Sequence, residues 1–260
     1  MLHRTLLASL LVSTALIGAA QAETVAALVG DKTLAIVDTG AKKVVRTVKV
    51  TGVDGKLAGI DVRPADGMLY GVAVDGTVVT IDPMTGKATM KSKLETMLSP
   101  KVWATVDFNP VADRLRVIGS DGTNLRANVD DGKVIKDGAL KFAETDMHKG
   151  ETPKVVAGAY SNSFKGTKET ALYDVDGKIG GLLKQAPPND GVLSAIGKLG
   201  VKADKAALDI AADGNGGNTG WLMAGSTLYS VDLATGKATK AATIQGVKGT
   251  VRDIAVMPKM

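Results

Sequence analysis

The chain reads as an all-β protein, a single β-propeller of five four-stranded blades, on three observations. A turn motif recurs five times; a strand-like motif recurs in phase with it; and the last copy stops after one strand, while the first copy lacks one. The turn motif is clearest in Ile81-Asp82-Pro83-Met84-Thr85-Gly86-Lys87-Ala88-Thr89 and Val231-Asp232-Leu233-Ala234-Thr235-Gly236-Lys237-Ala238-Thr239. Weaker copies are Val37 to Gly40, Ala127 to Lys133 and Val175 to Lys178. Anchored at residues 38, 82, 128, 176 and 232, the copies stand 44, 46, 48 and 56 residues apart. A period in the forties with strand-like contents is that of a propeller blade.

In chain order, residues 1–22 read as a secretory signal: Arg4, an apolar run from Leu6 to Ala20, and the small-x-small site Ala20-Gln21-Ala22. The run is short for a membrane anchor, so residues 23–260 are expected to be exported to the periplasm or beyond the cell, with no transmembrane segment. Strands follow at Thr24 to Val29, Thr33 to Val37 and Val44 to Val50. The second motif then opens a blade at Gly59-Ile60-Asp61-Val62-Arg63-Pro64 and returns as Thr105 to Pro110, Leu208 to Ala211 and Arg252 to Pro258, with a degenerate copy at Gly158 to Asn162. After the first, second and fourth of these in chain order come apolar stretches (Met68 to Val74, Arg114 to Ile118, Trp221 to Ala224), then the turn motif and a return strand such as Lys87 to Leu94. Thr77 to Ile81 and Thr227 to Val231 alternate apolar and polar residues, as strands packed between two layers do. Glu95 to Leu98 and Ala203 to Leu208 are expected as short turns. The lone strand at 252–258 completes the three-stranded first unit, so the carboxyl-terminal strand should enter the amino-terminal blade as its innermost strand and close the ring. Six blades is the rival count, because the spacing widens around the last two units. A sandwich or barrel would not require five copies of one turn.

Composition agrees. Three Phe, two Trp and four Tyr stand against 31 Gly, so the core is built from branched aliphatics and Ala, with Gly serving the hairpins. Few rings argue against a stacking platform for single-stranded nucleic acid. The absence of Cys removes disulfides, thiolate metal sites and thiol catalysis. The formal charge is +5, or +4 without Arg4. No Lys/Arg block singles out a nucleic-acid partner.

The run Val106-Asp107-Phe108-Asn109-Pro110-Val111-Ala112-Asp113-Arg114-Leu115-Arg116-Val117, followed by Gly122 to Asn128, resembles the signature of the bacterial domain-of-unknown-function family 4394. Pro187-Pro188-Asn189-Asp190-Gly191 with Gly197 to Val201 is similar to a second signature of that family. The resemblance spans nearly all of residues 23–260 and implies an exported propeller-like protein. It implies no activity.

Candidate chemistry lies in two groups. Asp61, Asp107, Asp209 and Asp253 hold equivalent positions on the expected innermost strands, with Ala159 in the remaining one. They are expected to accept backbone hydrogen bonds that lock neighbouring blades, to be neutralised by Arg63, Arg114, Arg116, Arg126 or Arg252, or to hold a cation such as calcium. No cofactor is predicted. The second group is Asp107, Asn109, Asp113, Arg114, Arg116, Asn124, Arg126 and Asn128, with Asn189 and Asp190 from the second signature. These form either a buried network or a ligand site in which arginine forks grip an anion. The alternation in Asp213-Gly214-Asn215-Gly216-Gly217-Asn218 lacks the Glu of a calcium loop and reads as a hairpin. His148, alone in a polar spacer, reads as solvated, and no nucleophile motif accompanies it. The favoured function is a noncatalytic, monomeric binding or scaffold module with an envelope protein or a small anionic ligand as partner. A metal-dependent hydrolase or lactonase-like enzyme and a purely structural envelope protein are the alternatives.

Overall fold

The computed structural model describes residues 22–258. The expected signal, residues 1–22, lies outside the described residues apart from Ala22. Five antiparallel blades are arranged as a five-bladed propeller, and no helix longer than the single 3-10 turn Pro188–Asp190 occurs among the described residues. None is long and apolar enough to cross a membrane.

Blade I contains β1 (Thr24–Val29), β2 (Thr33–Asp38) and β3 (Lys43–Lys49). Blade II runs β4 (Leu57–Val62), β5 (Leu69–Ala73), β6 (Thr77–Ile81) and β7 (Ala88–Lys93). Blade III comprises β8 (Ala104–Asn109), β9 (Arg114–Gly119), β10 (Asn124–Ala127) and β11 (Val134–Lys136). The two-residue β12 (Lys141–Phe142) precedes blade IV, which holds β13 (Val155–Tyr160), β14 (Leu172–Asp176), β15 (Gly181–Gln185) and β16 (Val192–Lys198). Blade V has β17 (Ala207–Ala212), β18 (Asn218–Ala224), β19 (Thr227–Val231) and β20 (Ala238–Thr243); β21 (Val251–Val256) is the last strand.

As the truncated repeat predicts, β21 pairs antiparallel with β1 and gives blade I the order β21-β1-β2-β3. The five-blade count holds over the rival six. One strand escaped the repeat: β12 pairs in parallel with β16 and makes blade IV five-stranded. A parallel two-residue pairing carries no alternation and no turn signal, so periodicity cannot reveal it.

Apolar residues fill five layers, one between each pair of adjacent blades. Leu28, Leu34, Leu57 and Ile60 pack between blades I and II, and Val72, Val106, Phe108 and Leu115 between II and III. Each fully buried aliphatic side chain contributes about 1.5–3 kcal/mol to this stacking. The layer between III and IV differs, because Arg116, Asn124, Asp174 and Gln185 are buried there beside Ile118 and Leu183.

Hydrogen bonds between blades form a rim belt. The stretch after each outer strand reaches the next blade's third hairpin: Thr51 N donates to Gly86 O, Glu95 N to Gly132 O, and Gln245 N to Lys42 O. Between IV and V, Ala238 N donates to Leu199 O, as Ala88 N does to Thr51 O between I and II; between III and IV, Lys141 N donates to Gly191 O. The belt explains the turn motif. Gly86, Gly132 and Gly236 have φ of +76°, +77° and +78°, and a Cβ there would strike the backbone of Lys49, Lys93 and Gly197 in the preceding blade. Asp82 and Asp232 close the same hairpins by accepting the N–H groups of Met84 and Ala234 through their side chains.

Candidate functional site

The repeated aspartates form an inner belt. Asp61 accepts its neighbour Val62 N and, across the interface, Phe108 N at 2.7 Å; Asp107 accepts Tyr160 N at 2.9 Å. Asp209 accepts Ile210 N and Val256 N, and Asp253 accepts Ile254 N and Ile60 N. Four of the five interfaces are thus stapled by a carboxylate from one blade to the innermost strand of the next. At the fifth, where Ala159 replaces the acid, Asn162 and Asn218 take over: Asn162 N donates to Asn218 Oδ1 and Asn218 Nδ2 to Asn162 Oδ1. The first of the expected roles for these acids is therefore the one the geometry realises. Of the arginines expected to neutralise them, Arg63 is committed to Asp113 and Asp130, and Arg116 and Arg126 to Asp137, while the Arg252 charge acts on Asp253 against its burial.

Burial is the main cause pushing the four carboxyls above the usual carboxylate range, and the Asp209 charge adds to it at Asp61 and Asp253. Asp209 is pushed up to about 6. One carboxylate oxygen each from Asp61, Asp107 and Asp209 lie within 4.8 Å of one another. Both oxygens of Asp61 and of Asp209 already accept an N–H.

Above this belt, on the face carrying the first hairpins, opens a cavity of about 710 Å³. Asp61, Asp209 and Val256 line its depth, and Glu23, Asp213, Phe164, Trp221 and Lys165 its walls. Asp213 is placed by its hairpin, where Oδ1 accepts Asn215 N and Gly217 N, the turn its sequence predicts. Phe164 and Lys165 stand on the long hairpin of blade IV, held by Thr170 Oγ1 donating to Ser161 O and by Asn162 Nδ2 donating to Glu169 O. The indole N–H of Trp221 is buried without an acceptor among the described residues. At the opposite end of the innermost strands, the Arg252 guanidinium of blade I stacks on the Trp103 ring of blade III, 4.9 Å from its centroid. Blades I and III are not neighbours, so this pair reaches across the axis.

The second candidate group divides. Arg116, 3% exposed, donates to Asn124 Oδ1, Asp137 Oδ2, Asn189 Oδ1 and the Tyr160 hydroxyl. Asn124 Nδ2 donates in turn to the carbonyls of Gly138 and Pro188. Arg126 holds Asp137 through both carboxylate oxygens, and its charge and that of Arg116 keep Asp137 low against burial. Asp113 turns the other way, to Arg63 of blade II. Asn109 caps its hairpin by accepting Val111 N and Ala112 N, and Asn128 does so with Asp130 N. Asp190 is exposed beside the blade III–IV seam.

The sequence profile of the domain of unknown function DUF4394 matches residues 33–255. The chain belongs to the DUF4394 family. No curated protein matches it. Among solved structures, a protein of unknown function from Bacteroides thetaiotaomicron VPI-5482 is 17% identical with a TM-score of 0.53, over 92% of this chain and 66% of that one. A protein of unknown function from Bacteroides caccae is 10% identical with a TM-score of 0.47, over 92% and 100% of the two chains. At these identities the first likeness concerns the fold alone.

Within this DUF4394 chain, the sequence signature Asp107 to Asn128 therefore encodes three separate devices: an axial staple, a buried network and hairpin caps. Asp113 and Arg116, grouped in the sequence, part company in the fold: Asp113 lies in the turn at φ +50° and pairs with Arg63, while Arg116 faces blade IV. Sequence reasoning missed Asp137, whose only signal was the Asp-Gly turn it opens, and Asp174, whose neighbours look like any strand. His148 is not solvated as expected; it pairs with Glu151 at 2.9 Å and packs on Phe142. Glu23, Phe164 and Trp221 carried no motif.

Proposed function

We propose that this protein is an exported, noncatalytic binding module whose axial cavity takes a compact organic ammonium ion. The observation that carries the reading is the lining of the cavity: four carboxyl groups (Glu23, Asp61, Asp209, Asp213) against the single Lys165, together with Phe164 and an edge of the buried Trp221. Carboxylates combined with aromatic faces recognise ammonium groups through charge and cation–π attraction. In a chain with only two Trp and three Phe, one of each at a single cavity is a marked concentration of rings. A bare metal ion fits less well, because the deep carboxylates are already occupied as staples and much of the wall is apolar. Export rests on the signal read in residues 1–22, and the noncatalytic reading on a lining in which no nucleophile is paired with a base.

Isothermal titration with tetramethylammonium, putrescine and calcium tests this. Binding of an ammonium ion that weakens about tenfold in Glu23→Gln and in Phe164→Leu is expected; neither residue belongs to a staple. Affinity should fall as pH is lowered through about 6, where Asp209 gains its proton. Absence of heat with both amines, or tighter binding of calcium than of either, overturns the proposal.

A further inference from the structure

We propose a second binding site, for a carboxylate with an apolar body, in the open groove on the β9–β11 surface of blade III. The groove measures about 400 Å³ and is lined by Arg114, Arg126, Asn128 and Lys133, with Val134 and Ile135 on one flank and Glu95 and Asp131 at its edge. In the β9–β10 register Arg126 lies opposite Arg116, which brings Asn128 opposite Arg114 on the same face.

Arg126, Arg114 and Asn128 are each fixed by a protein partner on one side and free on the other. Arg126 is clamped by Asp137 through Nε and Nη2, both at 3.0 Å, and Asp137 is itself only 5% exposed and held by Arg116. Its Nη1 has no protein acceptor among the described residues. Arg114 donates from Nη1 to the carbonyls of Asp113 and Ala112 and forms no ion pair among the described residues, leaving Nε and Nη2 unengaged. Asn128 Oδ1 accepts Asp130 N, so its amide N–H groups are unengaged. Guanidinium groups pre-set in this way lose little entropy when an oxyanion docks.

The edge acids choose between oxyanions. Glu95 and Asp131 would repel the second charge of a phosphate, whereas a monocarboxylate presents one charge in the plane the arginine fork matches. Ile135, 53% exposed, and Val134 offer the apolar body a surface. The site is independent of the axial cavity, and none of its lining residues is shared with it.

Benzoate and inorganic phosphate are the probes, titrated into the full chain by calorimetry and by NMR of the arginine Nε resonances. Benzoate is expected to bind, to shift the Arg114 signal, and to lose about tenfold or more in affinity in Arg114→Gln, with partial recovery in Arg114→Lys. Arg114 makes no contact inside the buried network, so the melting midpoint of the variant should match that of the parent. Equal benzoate binding by parent and Arg114→Gln, or tighter binding of phosphate than of benzoate, overturns the assignment. Ammonium binding in the axial cavity should be unchanged by Arg114→Gln, which separates failure here from failure of the functional reading.

Discussion

Asp174 is the residue whose environment conflicts most with its chemistry. It is fully buried in the III–IV layer, neither carboxylate oxygen has a protein donor among the described residues, and it lies over Gly158, where a Cβ would collide with it. Burial pushes its carboxyl up to about 8, against the pull of Arg116. The folded protein therefore binds a proton that the unfolded chain releases near 3.8. With more protons on the folded state, stability falls as pH rises from about 4 to about 8 and is level above that. Asp174→Asn should make this slope shallower, leaving the part that the raised Asp61, Asp107, Asp209 and Asp253 carboxyls contribute, and raise stability at pH 7 by about 2 kcal/mol or more. Urea unfolding of both proteins at pH 5 and pH 8 measures it; a variant that keeps the parent's slope sinks the explanation. Nothing in Tyr173-Asp174-Val175 announces this, because strand alternation says which side a residue faces and not what it finds there. The staples at Asp61, Asp107, Asp209 and Asp253 were legible because they recur, whereas Asp137 and Asp174 occur once.

At the scale of an element, the third hairpin does more than reverse the chain. In blades II, III and V its glycine answers two demands, a left-handed backbone and the closeness of the preceding blade, whereas blade I carries Lys42 at φ +57° in this position. The two demands can be separated. Gly30, in the hairpin between β1 and β2, has φ +61° and open space within 4 Å of where a Cβ would stand, whereas at Gly132 the Lys93 carbonyl blocks that position. Gly30→Ala should cost about 1–2 kcal/mol, the penalty of the left-handed conformation alone. Gly132→Ala should cost about 3 kcal/mol or more, since the rim belt must also yield. Equal losses in thermal or chemical unfolding would show that the belt contributes nothing. The sequence revealed that these glycines recur, and so where the hairpins lie. It could not reveal the second reason for them, because the colliding backbone comes from a different blade. For the same reason β12 and the cavity wall were unreadable: Glu23, Phe164 and Trp221 are far apart in the chain and share no motif.

On the scale of the whole molecule, two concentric belts hold five sheets that otherwise meet mainly through apolar layers. The inner belt is made of carboxylates, the outer of backbone. The inner one runs through the junction where β21 completes blade I: Asp253 accepts Ile60 N of blade II, and Val256 N donates to Asp209 of blade V. Deleting residues 251–260 removes the innermost strand of blade I together with both of these staples and bares the edge of β1. The truncated chain should elute as aggregate or fail to melt cooperatively; a monomer with the parent's melting curve would refute the closure. The repeat made this junction legible, since a strand without a blade and a blade without a strand can only be each other's complement. The same junction sets an order in time. Blade I is the first to be synthesised, yet its inner edge stays vacant until residues 251–256 have been made, so the largest sequence separation in the fold is bridged last. Until then the chain lacks the strand that locks the circle, and closure waits on its last residues.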